Sequence, residues 1–242
     1  MQLKTTLALL AALTPFTQAL PHAKRADWTS TPQGDGKTDG FGTRQTNGAG
    51  SIDTYQGNIG SPWGSNIIEI SEADASQYKY VAKLHGANTE PNKVVFWNKF
   101  GPDGKLDGHY GREAISFTLQ PGEDKYVAFD ENTQGGFGAY PGDDLPKGPM
   151  GAYACTWGEF DFGSEPNNRW SGFDVSAIQA NMAGKEVQGM KICEAPGGVC
   201  SSITPDGAAD NAYTAAETDI GGIGANLAEG PVRLDVTIGY EG

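Results

Sequence analysis

Histidine and cysteine are scarce in this 242-residue chain, at three residues each. Beyond the leader only His85 and His109 remain, in separate segments and without the spacing of a helical ligand pair, so no zinc, copper or other metal site is expected. Positive charge is also short, with 17 Lys and Arg against 30 Asp and Glu and a net charge of −13. A binder of phosphate backbones or anionic membranes needs a basic stripe, so neither nucleic acid nor membrane is an expected partner. No apolar run after the N-terminus reaches the length of a membrane-crossing helix. There is no Gly-x-Ser-x-Gly elbow, phosphate-cradling loop or Asn-x-Ser/Thr sequon, and no cofactor is expected.

The N-terminus explains part of the charge balance. Lys4, the apolar stretch Leu7 to Leu13 and the small-residue ending Thr17-Gln-Ala19 fit a secretory signal peptide over 1–19. A short propeptide over 20–25 would then end in the dibasic pair Lys24-Arg25, exposing Ala26 and leaving 217 residues. Three basic residues and no acid lie in 1–25, so the processed chain would carry −16 and be exported to the extracellular space or cell wall.

What is abundant is glycine, 35 residues, together with 14 prolines, which fits many turns between short strands. Residues 26–64 read as an extended lead-in, and 65–242 as one domain. The β-like runs are Ile67–Ile70, Tyr80–Leu84, Val94–Trp97, Ile115–Leu119, Tyr126–Phe129 and the strictly alternating 232–240. Turns are expected at 101–104 and 121–122. Two stretches read as short helices, 206–218 and 175–183. The fold class is mainly β, an antiparallel β-sandwich with one or two short helices.

The run Cys155-Thr-Trp-Gly-Glu-Phe-Asp-Phe162 carries the chemistry. Side chains alternate along a strand, so Trp157, Glu159 and Asp161 share one face while Phe160 and Phe162 take the other. Asp174 follows a few residues on, beside Trp170. An aromatic plate next to carboxylates suits a glycan-facing cleft. The plainer alternative is a strand with one solvated face. Glycoside hydrolysis needs two carboxyls, and Glu159 and Asp174 are the candidate catalytic pair; the candidate ligand-binding set is Trp157, Glu159, Asp161, Asp174 and Trp170. Pro196-Gly197-Gly198 offers the turn that would let Cys193 and Cys200 pair as a disulfide, leaving Cys155 as a buried thiol, an intermolecular partner or a member of a re-paired set. The buried thiol is favoured.

The strings Pro62-Trp-Gly-Ser-Asn-Ile-Ile68, Val94-Val-Phe-Trp-Asn-Lys99, Cys155 to Phe162, Trp170-Ser-Gly172, Asp174 to Ala180 and Val187 to Cys193 resemble the fungal secreted family of the Aspergillus allergen Asp f 4. The resemblance implies an exported fungal protein, with IgE as a host partner of allergenic members. A fourth family cysteine is replaced by Lys37 here, which would leave Cys155 unpaired. Glu159-Phe160 and Phe173-Asp-Val-Ser176 also resemble, more distantly, the thaumatin-like proteins, whose acidic cleft is linked with β-1,3-glucan. Gln179 stands where that pattern has a further Asp, and the dense disulfide set is absent. These resemblances imply a non-catalytic cell-wall or surface protein binding β-glucan, with a weak thaumatin-like β-1,3-glucan hydrolase and a host- or partner-directed interaction protein as the alternatives.

Overall fold

The computed structural model describes residues 27–47 and 54–242. The expected signal peptide, propeptide and dibasic site lie outside the described residues. Among the described residues thirteen strands follow in order: β1 Ile67–Ile70, β2 Tyr80–Gly86, β3 Asn92–Asn98, β4 Ile115–Leu119, β5 Asp124–Phe129, β6 Thr133–Pro141, β7 Trp157–Ser164, β8 Trp170–Ser176, β9 Met190–Glu194, β10 Cys200–Ile203, β11 Ala209–Asp210, β12 Ala225–Leu227 and β13 Val232–Ile238. They form two sheets, ordered β1-β5-β2-β13-β9-β10-β11 and β12-β8-β7-β6-β3-β4.

The sheets pack face to face because each long strand buries one alternate set of side chains. Val94 and Phe96 of β3, Phe137 of β6, Phe160 and Phe162 of β7, and Phe173 and Val175 of β8 meet Leu84, Phe129, Ile192, Leu234 and Val236 from the other sheet. Phe96 stacks on Phe137 at 4.8 Å, and Phe160 lies 4.7 Å from Phe129 across the interface. The sandwich is not wholly antiparallel, as the alternating pattern alone had implied. Strand β13 slots between β2 and β9 and runs parallel to β2 over seven register positions, Val232 opposite Tyr80 to Ile238 opposite Gly86. Side-chain alternation fixes which face is buried and says nothing about strand direction.

Each sheet also carries a small apolar cluster on its outer face. Val81, Tyr126 and Ala128 are covered by Trp28, Phe41 and the 3-10 turn Glu72–Gln77. Val95, Trp97 and Trp157 form the other cluster with Leu145, Tyr153 and Cys155 of the loop from 142 to 156. Cys155 is fully buried, and a Cβ on Gly138 would come within 2.6 Å of its Sγ. Cys193 and Cys200 are opposite each other on β9 and β10 and are bonded, as the turn between them had implied.

The two helix expectations fare differently. The helix α1 spans Ile178–Met182 and stops before Gly184, which turns the chain at φ +61°. Val175 and Ser176 belong instead to β8. Residues 206–218 are not a helix: Asp206 accepts from the Ala208 amide in a turn, β11 pairs with β10, and only Ala215–Glu217 makes a 3-10 turn. Asp206 binding its own neighbouring backbone competes with helix formation, which overrides the alanine propensity.

Candidate functional site

The outer face of β7 lies in the middle of the six-stranded sheet, and cross-strand register builds the site on it. One row runs Trp97 on β3, Gly136 on β6, Glu159 on β7 and Asp174 on β8, each directly opposite the next. A second row places Gln134, Asp161 and Gly172 side by side. The bare Gly136 is what lets the indole of Trp97 lie over the sheet, since a Cβ there would sit 3.0 Å from its ring. Phe160 and Phe162 point the other way, into the sandwich core.

Above these rows is a cleft of about 650 Å³. Its floor holds Glu159, Asp161 and Asp174; Leu106 and His109 rise on one side, and Tyr213, Ile220 and Ile223 on the other. The first wall follows β3 through the turn at 101–104, closed by the Gly104 amide donating to the Gly101 carbonyl at 3.0 Å. Asn211 pins the second wall: its Nδ2 donates to the Cys200 and Gly224 carbonyls, its Oδ1 accepts from the Gly224 amide, and the Ile223 amide donates to the Tyr213 hydroxyl. A capping box between Thr214 and Glu217 holds the turn between them.

Glu159 and Asp174 are hydrogen-bonded to each other. Their direct cross-strand placement brings the carboxyls together, and burial at the cleft floor disfavours charge on both. Burial raises Asp174 to about 9, with the neighbouring Glu159 charge adding to the shift, and it raises Glu159 as well. Asp174 therefore keeps its proton through neutrality and can donate it to Glu159, and the two carboxyls titrate as a pair. Its Oδ1 is buried with no hydrogen-bond partner, and so is Oδ1 of Asp161. Burial lifts Asp161 to about 6, against the opposing Ser164 hydrogen bond and Lys99 charge. His109 is shifted down by burial, which favours the neutral ring.

The structure thus brings together four of the five expected ligand-binding residues, Trp157, Glu159, Asp161 and Asp174, around one cleft. Trp157 is less of an open plate than its position implied. It is 8% exposed, its Nε1 donates to the Tyr153 carbonyl at 2.9 Å, and its ring meets Trp97 edge-on at 5.2 Å. It shores up the cleft more than it lies open to a ligand. Trp170 is outside the cleft lining, 38% exposed at the first position of β8, where the register shift between Asp161 and Ser164 carries it away. Gln179, on α1, does not line the cleft either. Both walls escaped the sequence reading because they come from loops distant in the chain; Gly135-Gly136 beside Gln134 was the local signal of a flat, open floor.

Residues 65–238 match the family model described as the Allergen Asp f 4-like domain. Allergen Asp f 4 of Aspergillus fumigatus is 55% identical over 218 residues, covering 89% of this chain and 67% of the relative. Among solved structures, the protein elicitor MoHrip2 from Magnaporthe oryzae aligns with a TM-score of 0.42 at 13% identity, over 66% of this chain and 99% of that one. IP-1A from Alcaligenes faecalis aligns with a TM-score of 0.27 at 14% identity, over 66% and 91%.

Proposed function

This chain belongs to the Allergen Asp f 4-like family, and from that premise we propose that it is a secreted fungal cell-wall or surface protein whose cleft binds a neutral glycan of the β-glucan kind. The observation that carries the reading is the Glu159–Asp174 carboxyl pair, directly opposite each other on β7 and β8, on the floor of a cleft with apolar rims. The pair offers a donor and acceptors to sugar hydroxyls, while Leu106, Ile220 and Ile223 offer apolar surface to the ring faces. The order Glu159-Phe160 then Phe173-Asp-Val-Ser176 supports the thaumatin-like form of this reading. IgE recognition, expected from allergenic relatives, would belong to the exposed surface rather than to the cleft.

Binding is favoured over glycosidic cleavage by this pair. Retaining glycosidases hold their two carboxyls about 5–5.5 Å apart and inverting ones about 6.5–9.5 Å, leaving room for the sugar or for water. Carboxyls hydrogen-bonded to one another leave no such room. Leu106 and Ile220 are 50% and 55% exposed, so charges there spare the fold. Retention on insoluble β-1,3-glucan is therefore expected for the wild type and about tenfold weaker for Leu106→Asp/Ile220→Asp. A wild type that stays in the supernatant rejects the glycan reading.

A further inference from the structure

We infer that the Glu159–Asp174 pair is a water-activating dyad for acyl hydrolysis, with peptide amides as its substrate class. This goes beyond the glycan reading and does not rest on it. Two carboxyls directly opposite each other on neighbouring strands at a cleft floor suit attack of water on a carbonyl, one oxygen accepting from water while the other acid donates to the carbonyl oxygen. That chemistry wants the close approach which a glycosidase does not.

The cleft favours a peptide over a simpler ester. Oδ1 of Asp174 and Oδ1 of Asp161 are acceptors without a donor, and a polypeptide brings backbone N–H groups. Leu106 on one side and Ile220 and Ile223 on the other are placed to take apolar side chains. The sheet floor beside Asp161 is kept low by Gly172, which carries no side chain, so an extended chain can lie along it.

The steps balance without any co-reactant but water. Water gives a proton to the Glu159 carboxylate as its oxygen bonds to the carbonyl carbon, and Asp174 protonates the carbonyl oxygen. The resulting gem-diol returns one hydroxyl proton to Asp174 while Glu159 protonates the amide nitrogen and the C–N bond breaks. A carboxylic acid and an amine leave, and the pair again holds one proton. Asp161, His109, Lys99, Tyr213 and Glu217 face the pair from the neighbouring elements and set the field in which it titrates.

The test incubates the purified protein with a mixed synthetic peptide library from pH 3 to 10 in H₂¹⁸O, with mass spectrometry as the readout. Cleavage is expected to put one ¹⁸O in each new carboxyl terminus and to follow a bell-shaped pH profile whose upper limb falls near the value of about 9 for Asp174. Glu159→Gln and Asp174→Asn should each lower the rate at least about 100-fold, whereas Asp206→Asn, in an exposed turn, should retain it. Should either amide variant fail to melt cooperatively, Ile220→Asp replaces it, with a raised KM and unchanged kcat expected. No cleavage at any pH, or undiminished cleavage in folded amide variants, overturns the inference. Glucan retention measured on the same preparations keeps the two readings apart: retention without cleavage sinks this one alone, and cleavage without retention sinks the other.

Discussion

Two places among the described residues that shield ionisable groups from water do so in opposite ways. Arg233 on β13 is 2% exposed and has no carboxylate partner among the described residues. Its guanidinium donates to the carbonyls of Trp28, Ser30, Lys79, Val232, Ala75 and Tyr78, which ties the 28–30 segment and the turn at 72–77 to the seven-stranded sheet. Burial lowers its pKa to about 10, so it stays charged at neutrality. On the other sheet, the Glu159 and Asp174 carboxyls face each other across neighbouring strands, and Asp174 Oδ1 has no hydrogen-bond partner. A saturated buried charge is a fastening. A buried polar group left short of a partner, at the floor of a cleft, is a place for a ligand or a reaction.

Cutting the fastening should have the largest effect. Arg233→Met removes the guanidinium donor from six carbonyls, of which those of Lys79 and Ala75 keep a backbone donor, and the cost is about 3–5 kcal/mol, by analogy with breaking a buried charged network. Urea unfolding measures it. A loss under about 1 kcal/mol would mean that the N-terminal segment is held by Trp28 and Phe41 packing instead.

The acid pair predicts a smaller change of opposite sign. Asp174 has a folded-state pKa raised to about 9 from an ordinary value of 3.8, so the native state holds more protons than the unfolded state between those values. Stability then falls as pH rises through that window. Asp174→Asn removes the titration: it should raise stability at pH 8 by about 1–3 kcal/mol and flatten the slope between pH 5 and 9. A slope equal to the wild type's would show that the pair is ionised without strain.

The same contrast marks what could be read from sequence. Alternation placed Glu159 and Asp161 opposite Phe160 and Phe162, because a strand's period of two is local and a buried face enforces it. It could not show that Asp174 pairs directly with Glu159, which depends on the register of β7 against β8. Trp170 was grouped with the site by proximity in sequence, and an irregularity between Asp161 and Ser164 moved it out. Arg233 gave no signal at all, since its partners are backbone carbonyls up to 205 positions away. The alanines at 208–216 pointed to a helix, and pairing with β10 together with the Asn211 left-handed turn overrode them.

The central claim is that Glu159 and Asp174 titrate as one coupled pair, with Asp174 keeping its proton through neutrality. Side-chain ¹³C-carboxyl NMR of both residues through a pH titration reads it directly. A coupled titration is expected, with the last proton leaving near the value of about 9 for Asp174 and each resonance reporting both steps. Two independent curves, both complete by pH 6, would contradict it.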